Sequence, residues 1–371
     1  QRRRKQAGRV HMACRIGRTW TRAASAALIA SLLSDGAPAA AAQAPERINW
    51  KVPSAFSARL QALGDTLPWV SQRLEEISGG NIRLEVFEPG KVISGTEVFN
   101  AVSTGKIDAG YTWMGYELGQ VPATVLFGAV PFGLDPWEYM AWFYFGGGKE
   151  LAREVWAPHD IVPIFCGIVG PETAGWFHFE ITSLDQLKGL KIRFAGLGGK
   201  VLEKLGSTVT VMPAGELRQA LERGIIDATE FSIPSADEQL GFYKVAKYNY
   251  FPGWHQPFTA QALYVNKTAW DKVSAPTRML IETACMAGVT YALAKSESLQ
   301  GEVLKRYREA GVTTIELSPE ILAALRRTTD EVLAEEAARD ALFKRVLDSQ
   351  RAFDAVYRPW QKLAYLRPGG E

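Results

Sequence analysis

Residues 97–109 read Glu97-Val-Phe-Asn-Ala101-Val102-Ser-Thr-Gly105-Lys-Ile107-Asp108-Ala109. Further along, residues 216–228 read Glu216-Leu-Arg-Gln-Ala220-Leu221-Glu-Arg-Gly224-Ile-Ile226-Asp227-Ala228. Glu, Ala, Gly, Ile, Asp and Ala coincide, and aliphatic residues replace aliphatic residues between them. Each copy predicts a helix with an Ala/Val/Leu face, a glycine that ends it and a short strand entering a sheet. The spacing is far too long for a solenoid repeat, so two copies predict two similar lobes. Tyr111–Trp113 and Thr229–Phe231 then face each other at the carboxyl ends of strands, where α/β folds take their ligands.

The flanking sequence has the same α/β character. Ile48–Val52 and Ile82–Phe87 predict strands around a helix near Leu63–Ser78, closed by Gly79-Gly80. Further strands are predicted at Val162–Cys166, Gly175–Phe179, Leu190–Phe194, Thr208–Met212 and Gln261–Val265. Beyond Pro276 the pattern turns helical over 277–309 and 319–365, with a strand signal only at Val312–Leu317.

The first 42 residues stand apart. Eight basic residues from Arg2 to Arg22 precede the apolar Ala23–Leu33, and Ala39–Ala42 supplies a small-residue cleavage site before Gln43. That is the pattern of a secretory signal peptide, with Met12 as a start of normal length. Eight of the 42 basic residues and one of the 40 acidic ones lie there, so the rest of the chain carries about −5. Nucleic acid, which needs a clustered positive field, is not an expected partner. No apolar run reaches the ~18 residues of a membrane-spanning helix. Cys166 and Cys285 are read as two buried thiols, although an exported chain could also join them.

Nucleophilic and nucleotide chemistry find little support. G-x-S-x-G, CxxC and HExxH are missing, Gly148-Lys149 is followed by Glu150, and Gly196-Leu197-Gly198-Gly199 has Val201 where a third motif glycine belongs. Arg193 is a better candidate. Leu190 and Ile192 share one strand face, so Arg193 points from the other, where its planar fork can clamp a carboxylate. Glu172 and Glu230 could hold a hard cation through oxygen or act as an acid/base pair. Tyr248, Tyr250, Phe251, Trp254 and His255 form an aromatic cluster that fits core or pocket.

Several short motifs together carry a family resemblance over roughly residues 48–363. They are Val130-Pro131-Phe132-Gly133, Trp142-Phe-Tyr-Phe-Gly146-Gly147-Gly148, Gly175-Trp176-Phe177, Asp185-Gln-Leu-Lys188-Gly189-Leu-Lys-Ile-Arg193 and Pro252-Gly253-Trp254-His255. The sequence resembles the solute-binding proteins of TRAP (tripartite ATP-independent periplasmic) transporters, and within them the α-keto acid, pyruvate and lactate branch. The resemblance implies a periplasmic, non-enzymatic protein of two-lobe α/β fold, with a ligand cleft between the lobes and long C-terminal helices. Residues 43–166 would form mainly lobe 1 and 167–265 mainly lobe 2. Residues 266–371 would be helices returning across lobe 1, plus a long terminal helix. Such a protein captures a small α-keto, hydroxy or aromatic carboxylate and delivers it to the membrane permease subunits.

The resemblance also assigns roles. Arg193 would pair with the carboxylate, and Tyr116, Phe56 and Trp254 would wall the pocket. A cation, Na⁺ or Ca²⁺, would lie beside the ligand on Glu230, the backbone of Phe231, Glu172 and Gln256. Where that branch reads Gly-Asn-Thr-Gly-Val-Gln, this chain reads Gly167-Ile168-Val169-Gly170-Pro171-Glu172. Ile168 thus replaces an amide donor, which favours a less polar, larger or aromatic acid over pyruvate. Glu172 and Gln256 exchange the family's Gln and Glu, leaving the carboxylate count unchanged. The last helix can exchange between protomers in this branch to make a homodimer. The rival expectation is a secreted hydrolase using Glu172 and Glu230 as acid and base.

Overall fold

The structure, a computed structural model, describes residues 46–365. The segment read as a signal peptide lies outside them. Among the described residues no helix is long and apolar enough to cross a membrane.

Two sheets carry the fold. In the first, β3 (Ala109–Trp113) and β4 (Ile161–Val169) flank β10 (Thr259–Asn266), both antiparallel to it. The parallel pair β1 (Ile48–Pro53) and β2 (Ile82–Phe87) joins this sheet through a bridge from Ser54 to Tyr111. The second sheet contains β5 (Gly175–Phe177), β6 (Lys191–Arg193), β7 (Thr208–Thr210), β8 (Ala228–Thr229), β9 (Tyr248–Phe251) and β11 (Thr313–Glu316). Its strand order is β11-β9-β5-β8-β6-β7. β10 is buried along its whole length, as a central strand covered on both faces is, and its Ala262–Val265 stretch is accordingly apolar without alternation. It belongs to the first sheet, although it falls in the span 167–265.

The duplicated segment folds the same way in both places. Helices Val98–Ser103 and Ala214–Glu222 end at Gly105 (φ 69°) and Gly224 (φ 65°), left-handed positions that favour glycine. Matching backbone bonds follow: Gly105 N–H donates to Val102 and Ile107 N–H to Ala101, as Gly224 donates to Leu221 and Ile226 to Ala220. The chain then enters β3 in one sheet and β8 in the other.

The chain crosses between the sheets at 170–174, from β4 to β5, and again at 252–258, from β9 to β10. A third link is the 35-residue helix Ala275–Glu309, about 52 Å long at 1.5 Å per residue. It packs on β4 at one end and against β11 and the helix Pro234–Leu240 at the other. Cys166 on β4 and Cys285 on this helix form a disulfide, which corrects the expectation of two free thiols. Both cysteines have the burial expected of thiols; what sequence spacing could not reveal is that strand and helix pack face to face.

Two other differences concern elements. The helical pattern of 319–365 is two helices, Pro319–Arg339 and Ala341–Ala364, broken where the Asp340 carboxylate accepts the Phe343 N–H as an N-cap. The aromatic run at 248–251 is strand β9, with the Tyr250 hydroxyl accepting the Ile181 N–H (2.7 Å).

Candidate functional site

The carboxyl ends of β3, β4, β6 and β8 converge with the start of β10. β6 and β8 are parallel neighbours, with Arg193 opposite Thr229, so Arg193 and Glu230 leave the sheet side by side. Arg193 is 2% exposed. Its Nη1 donates to the Glu230 backbone carbonyl and to Glu230 Oε1, both at 2.8 Å. The Ala195 N–H also donates to Oε1 (2.6 Å). Oε1 is therefore saturated, while Glu230 Oε2 is buried with no hydrogen-bond partner among the described residues. Arg193 Nε is orphaned in the same way. The guanidinium lies 5.4 Å from the Phe231 ring centroid. Its Nε–Nη2 edge makes no hydrogen bond among the described residues, which leaves a two-donor fork of the kind that matches a carboxylate.

The two crossings bring in the remaining groups. Glu172 lies on the first; its backbone N–H donates to the Gln256 carbonyl on the second (3.2 Å). The Thr259 hydroxyl donates to Glu172 Oε1, and Gln256 Nε2 donates to that hydroxyl (2.9 Å). Glu172 Oε2, buried, has only His255 Nε2 beside it at 3.3 Å, and Glu230 Oε2 lies 3.8 Å from the same nitrogen. The three side chains could each offer one atom to a common ion within a 4.8 Å cluster.

Burial raises the Glu172 carboxyl above the usual range, and the Glu230 charge adds to the effect. Burial also opposes ionisation of Glu230, but Arg193, His255 and the Ala195 N–H together hold it below that range. For His255, burial disfavours the charged form; the two glutamates outweigh it and carry its pKa up to about 8. Two buried anions repel unless a positive charge lies at their free oxygens, a place that a protonated His255 or a bound cation can fill.

Beside this cluster is a tight cavity of about 10 Å³. Phe56, Tyr116, Glu172, Arg193, Phe231 and Gln256 all line it, so six of the residues singled out from sequence come together. Ile168, Trp254 and Glu230 are not among its lining, although Glu230 is bonded to Arg193, which is. Ile168 is buried in β4 opposite Ala260, so its apolar side chain gives no information about the ligand. Trp254 stacks on Phe194 (5.9 Å between centroids) and against Phe132 behind the site. Ser232 and Thr259 line the cavity without having been singled out from sequence, Trp113 lines it at the strand end where the duplicated segment placed it, and His255 was placed only in an aromatic cluster. The Trp254-His255-Gln256 run was the one available signal for His255. Thr259 lies just before the predicted strand Gln261–Val265 and gave none.

Residues 57–340 match the family model of the bacterial extracellular solute-binding proteins, family 7 (DctP). A monocarboxylate 2-oxoacid-binding periplasmic protein of Nostoc sp. is 35% identical over 294 residues, covering 79% of this chain and 81% of that one. A TRAP solute-binding protein of Pseudoalteromonas atlantica, solved with sodium and pyruvate, superposes with a TM-score of 0.83 at 32% identity, covering 86% and 97% of the two chains. One from Bordetella bronchiseptica, a dimer with calcium and picolinate, gives 0.84 at 28% identity, covering 86% and 95%. The family is one of extracytoplasmic binding proteins rather than enzymes. With the two-sheet fold, the long C-terminal helices and the match over most of its length, this chain belongs to the family 7 (DctP) solute-binding proteins of TRAP transporters.

Proposed function

We propose that this protein captures a small 2-oxo monocarboxylate between lobes carried by its two sheets, together with a cation, and delivers it to a membrane permease in the periplasm. The observation that carries this reading is a free Arg193 Nε–Nη2 edge beside two orphaned glutamate oxygens, which lie 3.3 and 3.8 Å from His255 Nε2. The ligand carboxylate would take the Arg193 edge. The cation would take Glu172 Oε2 and Glu230 Oε2, with Gln256, His255 and the Phe231 backbone as further oxygen or nitrogen donors. Charge supports the set: two glutamates and an anionic ligand exceed one guanidinium by two negative charges. A calcium ion cancels both when His255 is neutral and ligating, and a sodium ion does so when His255 is protonated and stands outside the coordination shell. Hard oxygen ligands suit either ion. The bound ion supplies charge neutralisation and a fixed anchor, no more.

Glu172 and Gln256 lie on the two crossings, so a ligand and ion held there would tie the hinge in one position. The hydrolase alternative for Glu172 and Glu230 lapses with membership of a family of binding proteins. A second copy would pair through the last helix.

Isothermal titration with pyruvate, in calcium, in sodium and in chelator, tests the proposal. Arg193→Lys keeps the charge and loses the fork, and should weaken pyruvate about 10- to 100-fold, the loss of a charged hydrogen bond. Binding that is unchanged in Arg193→Lys, or absent in every salt, would sink it.

A further inference from the structure

Asp237, on the helix Pro234–Leu240, is a fully buried carboxylate with no lysine, arginine or histidine paired to it among the described residues. A carboxyl in such a place is costly unless its oxygens accept hydrogen bonds. Three donors meet it. Oδ1 accepts the Ser232 N–H (3.1 Å), and Oδ2 accepts the Trp176 indole N–H (2.8 Å) and the Thr173 hydroxyl (3.3 Å). Two of these donors belong to segments of the candidate site. The Ser232 N–H shares its peptide unit with the Phe231 carbonyl, and a trans peptide points its N–H and C=O in opposite directions. The bond to Asp237 therefore turns the Phe231 carbonyl away from Asp237 and holds it there. Thr173 directly follows Glu172, and its backbone N–H donates to the Ser232 carbonyl (3.2 Å). The crossing at 170–174 and the turn after β8 are thus joined twice, once directly and once through Asp237. Trp176, the third donor, lies on β5 within the second sheet.

Resting on the reading that Glu172, Glu230 and the Phe231 backbone hold a cation, we propose that Asp237 is the positioning residue of that site. It holds the Phe231 carbonyl and the Glu172 segment as one unit, and so sets a preference for calcium over magnesium. One donor atom each from Glu172, Glu230 and His255 lies within 4.8 Å of the others. Calcium covers such a spread at about 2.3–2.6 Å from each ligand, whereas magnesium is confined to about 2.0–2.1 Å in a near-ideal octahedron. Donors that are held in place cannot draw in to the shorter distance. Asparagine is no substitute for Asp237. Whichever way its amide is turned, the NH2 group faces either the Ser232 N–H or the Trp176 N–H, donor to donor.

The test titrates calcium chloride and magnesium chloride separately into chelator-treated, pyruvate-free protein by calorimetry, with a thermal melt of each variant alongside. Asp237→Asn should weaken calcium about 10- to 100-fold, the usual cost of losing a group that orients metal ligands. Magnesium, which binds largely through its own waters, should lose less, so the calcium preference falls. Thr173→Val keeps the shape of the side chain and removes only its bond to Asp237, and should shift both readouts the same way by less. Trp176→Phe removes the donor that belongs to neither site segment; it should lower the Tm and leave calcium affinity and preference unchanged. Should Asp237→Asn fail to fold, the contrast between the other two variants decides. Calcium binding that is unaltered in Thr173→Val, or weakened equally in Trp176→Phe, overturns the positioning role and leaves the cation reading standing. A wild type that takes up no calcium, and binds pyruvate equally well in chelator, overturns both.

Discussion

A methyl group on Gly253 would stand 2.1 Å from the Glu172 carbonyl oxygen and 2.6 Å from its carbonyl carbon. Both atoms are backbone, so they can yield only if the crossings at 170–174 and 252–258 move apart. Gly170 gives the contrasting case, because its added Cβ would meet Glu297 Oε1 at 1.8 Å, the far end of a flexible side chain. Gly253→Ala should therefore cost about 1–3 kcal/mol and weaken ligand binding by displacing Glu172. Gly170→Ala should stay within about 0.5 kcal/mol of wild type. Thermal melts and pyruvate titrations of the two variants check the contrast, and equal losses would show that the crossings do not pack as described. Residue-level legibility was uneven for the same kind of reason. Arg193 could be read from strand alternation and Glu230 from its place after the duplicated turn, both local features. Ile168 and Trp254 misled, because a motif gives a residue's neighbours along the chain and not the direction its side chain faces. His255 entered the site only through two glutamates distant in sequence, one on the other crossing and one beyond β8.

The docking of the helix Ala341–Ala364 on the helix Pro136–Phe145 has a titratable joint. Glu138, 2% exposed, faces Asp354 and Arg358 from the last helix and Asp135 at the start of its own. Burial first, then the hydrogen bond and charge of Asp354, push the Glu138 carboxyl up to about 8, against the opposing charge of Arg358. A carboxyl raised on folding adds stability that is fully present below the ordinary glutamate range and is lost as pH rises through about 8. Glu117, buried beside the Tyr264 hydroxyl and also raised to about 8, acts with the same sign. Between pH 5 and 9 the Tm should fall, and Glu138→Gln should flatten that fall, with a Tm at pH 9 roughly 2–4 °C above wild type. Parallel pH profiles for the two proteins would rule out the joint. Most elements were legible because they follow local pattern: β1, β2, β4 to β7, β10, β11 and the long helix appear within a few residues of their predicted places. β9 was not, since Tyr-Asn-Tyr-Phe alternates no more clearly than a pocket lining would. The break at Asp340 was missed because it uses neither glycine nor proline, only a capping carboxylate. The disulfide required knowing which face of the long helix meets β4.

On the scale of the whole molecule, the last helix carries an apolar stripe that no other described residue covers. Val356 is 80% exposed, Trp360 61% and Leu363 87%, at a spacing that puts them on one helix face. Phe145, 92% exposed, lies next to Gly146, which abuts Phe353 of the same helix. Large apolar side chains grouped in this way are unusual on a monomer surface and mark an interface. Fully burying each of the three helix side chains contributes about 1.5–3 kcal/mol, enough together to favour association at micromolar concentration once the cost of pairing, about 4 kcal/mol or more, is met. A two-fold partner presenting the same helix covers the stripe with its own copy, because a self-complementary patch closes under that symmetry. Light scattering on the size-exclusion peak should therefore give twice the chain mass. Val356→Lys combined with Leu363→Lys, two exposed positions, should return the monomer with an unchanged far-ultraviolet spectrum and unchanged pyruvate affinity. Retained affinity is the informative part: Arg193, Glu172 and Glu230 all lie in one chain, so pairing would stabilise the fold without completing the site. A wild type that stays monomeric at every concentration would mean that the stripe faces something other than its own copy.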